Sequence, residues 1–200
     1  MTSIIKVNNI QNSSGTAAMT IDGSSNVTFP QNATVTGDLS VSGTMPGSLT
    51  LTNSGGVDMN GNAYVDFTGL PATIKRIQVN LYRCSASGTD TGALIRLGTS
   101  GGIITSGYSS ISHWGGGGQS DSSGFFLYGT GGTSAINGIA TINNMGNDRF
   151  ISSHSLMYNA SNGAFGGGYK DLGGTLTQLR VSLVSGGNFD FGRINIMYES

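Results

Sequence analysis

Apolar and polar residues alternate along most of residues 57–200, and this period-two pattern is typical of β-strands that bury one face. Ile77, Val79 and Leu81 would share one face of a strand, with polar residues between them. The stretch 179–183 alternates in the same way. About eight to ten short strands of this kind predict an antiparallel β-sandwich, with a jelly-roll-like arrangement. We therefore expect an all-β head domain over residues 57–200.

The remaining strands of this head are predicted from shorter alternating runs. A change of phase near the end of the chain is also informative: Phe189 and Phe191 alternate, Gly192-Arg193 interrupts, and alternation resumes at Ile194. A one-residue shift at a glycine predicts a β-bulge. The other runs lie near residues 93–99, 103–112, 124–130, 135–145, 149–158 and 164–170.

Residues 16–56 have a different pattern, in which short alternating stretches are cut by Gly, Pro and Asn. Within them the sequence TVTGDLSVSG, residues 34–43, repeats a six-residue phrase ending in glycine. Units this short cannot bury their own apolar face and need neighbouring units or identical chains beside them. The pattern predicts a slender β stalk wound from three copies, with Val35, Leu39 and Val41 buried on its axis.

Residues 1–15 form a third segment with no core of their own. Four apolar residues are spaced in a way that fits a short helix or an irregular strand equally well. We interpret the segment as an anchor that inserts into a larger particle; the alternative is a frayed terminus. The four residues are Ile4, Ile5, Val7 and Ile10.

The composition of the chain limits the classes of function that it could have. The chain has 34 glycines among 200 residues, and 10% of its residues are charged, against roughly 25% in an average globular protein. The net charge is −1 and the basic residues are scattered, so we expect no binding to nucleic acid and no insertion into a membrane. No secretory signal is recognisable at the amino terminus, which predicts that the protein remains in a cytoplasm until it is released. The single cysteine, Cys84, is expected to be a buried thiol.

No pattern indicates catalysis, a cofactor or a metal. The two histidines, His113 and His154, lie on different predicted strands, and a metal site would need them to converge with a third ligand such as Asp121. The aspartates lie mostly beside turn residues, where they more often close turns than take part in catalysis. We therefore predict that the protein is not an enzyme.

Carbohydrate binding has a better candidate. The only tryptophan, Trp114, precedes a run of four glycines, and polar and aromatic residues that suit sugar recognition lie nearby. In the alternative interpretation, Trp114 caps the sandwich core and the glycines only turn the chain. The candidate glycan contacts are Tyr108, His113, Trp114, Asp121 and Tyr128.

The opening sequence SIIKVNNIQNSSGT resembles the start of tail-fibre-like structural proteins of marine tailed bacteriophages. The carboxyl-terminal stretches GLPATIKRIQVNLY, IRLGTSGGIITSGYSS and LGGTLTQLRVSLVSGGNFDFGRINIMYE are similar to a β domain at the tips of such proteins. The resemblance implies a homotrimeric virion fibre, assembled in the host cytoplasm. It would be held through its N-terminus by another virion protein, at the portal or tail adaptor or on the capsid, and its head would adhere to the host surface. A capsid decoration or head-fibre protein, a carbohydrate-binding lectin module and a trimmed polysaccharide depolymerase remain as alternatives.

Overall fold

The computed structural model describes residues 9–11, 14–24, 26–29, 49–87, 92–128 and 134–200. All regular elements in these ranges are β-strands in antiparallel pairs, as the alternating pattern predicted. The described residues include no helix that is long and apolar enough to span a membrane. The strands are β1 Asn9–Gln11, β2 Ala17–Ile21, β3 Val27–Thr28, β4 Leu49–Asp58, β5 Tyr64–Thr68, β6 Arg76–Ala86, β7 Ala93–Thr99, β8 Gly102–Ile103, β9 Tyr108–Trp114, β10 Gly117–Asp121, β11 Phe125–Phe126, β12 Ile136–Asn144, β13 Arg149–Asn159, β14 Asn162–Asp171, β15 Gln178–Leu183 and β16 Phe189–Glu199.

The chain divides into two compact units, Met1–Thr44 and Met45–Ser200. In the first unit, β1, β2 and β3 form a three-stranded sheet. Asp22 closes the turn between β2 and β3 by accepting hydrogen bonds from the backbone N–H groups of Ser24 and Asn26. The hydrogen bond from the Asn26 side chain is the main reason why the pKa of Asp22 is lowered. None of the side chains described in this unit is buried.

The second unit contains two sheets. The larger has eight strands in the order β10-β9-β14-β13-β12-β6-β16-β4, and the smaller has the order β11-β7-β15-β5, with β8 paired to β7. One hydrophobic core takes residues from both sheets, among them Val79 of β6 and Val181 of β15, which are both fully buried. Two antiparallel sheets around one core are consistent with a β-sandwich. The jelly-roll-like arrangement stays a prediction.

The predicted faces of two strands are confirmed. In β6, Ile77, Val79 and Leu81 are buried, and in β15 the same holds for Leu179 and its alternate residues. The predicted runs at 93–99, 135–145, 149–158 and 164–170 correspond to β7, β12, β13 and β14. The run at 103–112 is divided between β8 and β9, and the run at 124–130 contains the short β11.

The start of the head differs from the sequence interpretation. The boundary between the compact units falls at Thr44 and Met45, whereas the alternating pattern placed it at residue 57. Strand β4, which begins at Leu49, pairs with β16 as the edge strand of the larger sheet. The backbone of β4 therefore forms hydrogen bonds with β16 of the head, although its sequence resembles the predicted stalk segment. The predicted stalk residues Val35, Leu39 and Val41, and the predicted anchor residues Ile4, Ile5 and Val7, lie outside the described residues.

A β-bulge interrupts the pairing of β6 and β16 at Gly192, where the sequence predicted one. Tyr82 pairs with Arg193 and Ser85 pairs with Phe191, so that Arg83 and Cys84 both lie opposite Gly192. Arg83 and Gly192 have positive φ angles of 52° and 117°. A second register shift precedes the bulge: Phe189 and Phe191 pair with the consecutive residues Ala86 and Ser85, so that Asp190 is an extra residue. This shift turns the side chain of Phe191 outward, where the Arg83 guanidinium lies 4.8 Å from its ring centroid. The expectation that Phe191 would share a face with Phe189 was therefore wrong.

Replacement of Gly192 by alanine should destabilise the second unit strongly. A Cβ atom at this position would lie 2.5 Å from the Cα atom of Cys84, in a backbone conformation that L side chains rarely adopt. Strain and overlap together should lower the free energy of unfolding by about 3 kcal/mol or more, measured by denaturant unfolding. Gly101→Ala is the matched control, because the nearest atom, Thr99 Oγ1, is 3.5 Å away. Equal stabilities for the two variants would contradict this account of the bulge.

Candidate functional site

Trp114 lies at the end of β9 and packs against the hydrophobic core. Its ring meets Tyr128 edge-on, with centroids 5.0 Å apart, and Tyr128 stacks on the buried Tyr158 at 3.9 Å. Burial is the main cause of the raised pKa of Tyr128. Strand pairing of Trp114 with Gly117 makes the first glycines of the run a tight hairpin turn. These contacts favour the interpretation in which Trp114 caps the core.

Tyr108 is a core residue and offers no exposed ring face to a sugar. It is 4% exposed, and its ring meets Phe125 edge-on at 5.1 Å. Its hydroxyl oxygen accepts the N–H of Leu97 at 2.7 Å and donates to the carbonyl oxygen of Ile104 at 3.1 Å. Burial raises the pKa of Tyr108 to about 12. Tyr108 is the first residue of β9, and its side chain points toward the hydrophobic core.

Asp121 lines a cleft of about 320 Å³ together with Tyr108, whereas His113 lies on the opposite face of the sheet. Asp121 accepts hydrogen bonds from the backbone N–H and the hydroxyl of Ser123, which closes a turn. His113 is exposed on the outer face of the larger sheet, where it stacks at 6.1 Å on Phe165. Since His113 and Trp114 are consecutive in a strand, they point to opposite faces of the sheet. The structure therefore does not bring the five predicted glycan contacts into one site.

His154 forms a buried pair with Ser112. Ser112 Oγ lies 2.9 Å from His154 Nε2, and the two residues are 0% and 7% exposed. A serine with no exposed surface cannot reach a substrate, so this pair is not a nucleophile site. His113 and His154 also do not converge, because one faces outward and the other inward. Within the described residues, no group of three His, Cys, Asp or Glu side chains could hold a metal ion.

The single cysteine, Cys84, is buried as expected. Burial raises the pKa of Cys84 to about 12, and its thiol donates to the carbonyl oxygen of Arg193 at 3.5 Å. The thiol is therefore protonated at neutral pH and unreactive.

A group of exposed apolar residues on the outer face of the larger sheet was missed by the sequence analysis. Ile151 lies directly opposite Tyr169 on neighbouring strands, and Ile111 lies opposite Gly167, between Phe165 and Tyr169. Phe165 and Tyr169 are 64% and 58% exposed. Contiguous exposed apolar residues mark interaction surfaces more often than isolated ones do. We call this group the outer patch; its members are Ile111, Ile139, Ile151, Met157, Phe165 and Tyr169.

The strands under the outer patch bury polar side chains as well as apolar ones. The larger sheet's buried polar residues, as far as the structure describes them, lie on β9, β13 and β14 and point inward; they are Ser110, Ser112, His154 and Lys170. The Ser110 hydroxyl accepts the N–H of Phe126 at 2.8 Å, which satisfies that buried group. Polar groups inside and apolar groups outside are the reverse of what stability alone favours. The buried polar side chains and the exposed apolar side chains on these strands therefore support an interaction at the outer face.

Glycines 166–168 hold these strands close together. A Cβ atom on Gly167 would lie 2.5 Å from the carbonyl oxygen of Ser152, and one on Gly168 would lie 2.3 Å from that of Ser109. The absence of side chains leaves a cleft of about 350 Å³ beside Ile111 and Tyr169. A flat floor with apolar walls is suited to contact with another surface.

A sequence signal for the outer patch does exist. In β13 the apolar residues occur as adjacent pairs, Phe150-Ile151 and Leu156-Met157, and Ala164-Phe165 is a similar pair in β14. An adjacent pair in a strand places one apolar residue on each face. The period-two alternation that predicts the strands identifies only the face of each strand that points toward the core.

No match was found when the chain was compared with protein-family models, with curated proteins and with solved structures. The fold and the surfaces are therefore the basis for the functional argument.

The His154 pair should make the protein less stable in acid. Burial lowers the pKa of His154 from 6.5 to about 4. The unfolded chain then takes up this proton first, so stability is lost as pH falls from about 6.5 to about 4 and is unaffected by this group above that window. His154→Gln should remove up to about 3 kcal/mol of that loss, measured by denaturant unfolding at a series of pH values. His113→Gln, at an exposed site, should keep the wild-type slope; identical slopes for both variants would contradict the role of His154.

Proposed function

We propose that this chain is a structural virion protein that forms a homotrimeric fibre on a bacteriophage particle, with a β head for adhesion to the host surface. The observation that carries the proposal is that the described residues of the first unit include no buried side chain. Val27 and Phe29 are 51% and 52% exposed there, and no described side chain of the unit is buried. Apolar side chains on so small a sheet need cover from outside the unit. Identical neighbours would supply it.

The outer patch is a second reason to expect association. Monomeric soluble proteins rarely leave contiguous aromatic and aliphatic side chains open to water. Aromatic residues and methionine are also enriched at protein interfaces, whereas lysine and glutamate are depleted there. The patch contains Phe165, Tyr169 and Met157 and no charged residue.

The outer face of the smaller sheet has the opposite character. Arg180 forms a bidentate ion pair with Asp66 at 2.6 and 2.7 Å, and its guanidinium lies 3.6 Å from the ring centroid of Tyr64. The charge and the hydrogen-bonding groups of Arg180 are therefore paired with partners within the chain. This face therefore suits a solvated exterior, and it provides control positions for the association experiments.

Attachment to the particle is assigned to residues 1–15, which would contact a portal, tail-adaptor or capsid protein. Ile10 is the predicted anchor residue that the structure describes, and its side chain is exposed on β1. An exposed apolar residue in an edge strand is available for such a contact. The number of three chains follows from the stalk interpretation and from the resemblance to tail-fibre-like proteins.

The first test of the proposal is the oligomeric state. Sedimentation equilibrium of the full chain should give a trimer at micromolar concentration. Val27→Ser/Phe29→Ser and Phe165→Ser/Tyr169→Ser should each weaken association by about tenfold or more, because each removes apolar surface from an interface. A monomeric wild-type protein with an ordered first unit would overturn the proposal.

The control for both double variants is Tyr64→Ser on the outer face of the smaller sheet. It removes an exposed aromatic ring of similar size, and the oligomer should be unchanged. If all three variants weakened association equally, the effect would be general destabilisation and neither surface would be an interface.

The second test is location on the particle. Gold-labelled antibodies against the head should decorate purified phage particles in electron micrographs. Label at the tail would support the tail fibre, and label over the capsid would support the decoration or head-fibre alternative. Particles that carry no label would contradict a virion protein of either kind.

A further inference from the structure

A second cleft opens on the outer face of the larger sheet, on strands β4, β6 and β16. Its volume is about 350 Å³. It adjoins the outer patch on β9, β12, β13 and β14, because Asn80 of the cleft pairs with Ile139 of the patch across β6 and β12. The lining residues are Gly56, Asn80, Leu81, Tyr82, Arg193, Ile194 and Asn195.

The cleft exists because β4 leaves its register beside Asn195. Val57 pairs with Ile194 and Thr52 pairs with Ile196, so residues 53–56 of β4 lie opposite Asn195 alone. Gly56 has a φ angle of 72°, which allows the chain to turn back into the sheet. The neighbouring strand β6 stays in register, with Asn80 opposite Asn195. A concave surface with a polar floor results.

Two amide side chains, Asn80 and Asn195, form this floor, and Gln78 extends the row beyond the cleft. The Gln78 side chain donates to Asn80 Oδ1 at 2.7 Å, and the Asn80 side chain donates to Asn195 Oδ1 at 2.8 Å. This direction places the Gln78 carbonyl oxygen at one end and the Asn195 amide nitrogen at the other. Each amide can form more hydrogen bonds than these two provide. The row is therefore held in place and still presents both donors and acceptors.

Tyr82 and Arg193 stand at the end of the row. They are paired across β6 and β16 beside the bulge at Gly192, and the Tyr82 side chain is 60% exposed. The bulge places both Tyr82 and Arg83 outward, and Phe191 holds the Arg83 guanidinium. Bulges often re-aim side chains in this way next to binding sites. An aromatic face and a guanidinium thus adjoin the amide floor.

We infer that this cleft is a saccharide-binding site. A pyranose ring can stack its apolar face on Tyr82, while its hydroxyl groups bond to the planar amides of Asn80 and Asn195 and to Arg193. The aromatic ring supplies apolar contact area, and the fixed polar groups supply orientation. Arg193 is the charged residue among those that line the cleft, so the cleft can accept both neutral and acidic sugars. The inference rests on the proposed adhesive role, for which it names the ligand class and the residues.

The inference is tested with the full chain on an array of printed bacterial oligosaccharides, both neutral and uronic-acid-containing. The wild-type protein should bind a subset of them. Tyr82→Ala and Asn80→Ala should each lower the affinity for that subset by about tenfold or more, because each removes a central contact. Tyr64→Ala is the matched control, since Tyr64 is an exposed tyrosine on the other sheet and its loss should leave the signal unchanged. Thermal unfolding and sedimentation of each variant should match the wild type.

The outcomes separate this inference from the proposed function. No array signal from the wild-type protein, or equal binding by the wild type and both cleft variants, overturns the saccharide site. The trimer and the particle labelling are measured independently and can hold in either case. Binding that is lost in Tyr64→Ala as well as in the cleft variants would place recognition outside the cleft and also overturn it.

Discussion

The structure depends on one constraint: the apolar face of a β-sheet must be covered by a second layer. In the second unit the smaller sheet covers the larger one, and side chains such as Val79 and Val181 lose all contact with water. Complete burial of one such side chain stabilises the fold by about 1.5–3 kcal/mol. The first unit has no second layer among its described residues, and the outer patch has none either. The proposed function follows from these two uncovered surfaces.

Hydrogen bonding between buried polar side chains explains how the larger sheet can present apolar side chains on its exterior and keep its fold. Serine and histidine side chains occupy inward positions on β9 and β13, where Ser112 and His154 satisfy each other. Aromatic rings stand on the outside of β14, where the run of glycines keeps the strands close. A buried polar pair costs stability compared with a fully apolar interior. Selection for association at the outer face would account for that cost.

The same sheet separates two kinds of surface along its width. The outer patch is apolar and suits a protein partner, whereas the cleft beside the bulge at Gly192 is polar and concave. Both arise where regular pairing is modified: glycines without side chains make the first, and displaced strand registers make the second. The outer surface of a regular sheet is comparatively flat, and these changes in pairing create raised and concave regions on it.

Strand positions and inward faces could be read from the sequence because they depend on local alternation. The runs in β6, β7 and β15 were predicted correctly for this reason. The bulge was predicted at Gly192, but its extra residue is on β6, and β16 changes phase earlier, at Asp190. The edge strand β4 was misplaced, because its residues resemble the stalk and its partner β16 is distant in the chain. His113 and Trp114 were linked to a glycan site by proximity in sequence, yet successive strand residues face opposite sides.

The sequence by itself determined an all-β chain of antiparallel strands and the strand faces that point into the core of the second unit. These properties follow from the two-residue repeat of a strand and from the preference of glycine for turns. Only the tertiary structure decided which side chains meet across different strands: the pair Ser112 and His154, the outer patch, and the row from Gln78 to Asn195. Strand order and register bring those residues together, and both are set by packing between segments that are far apart in the chain.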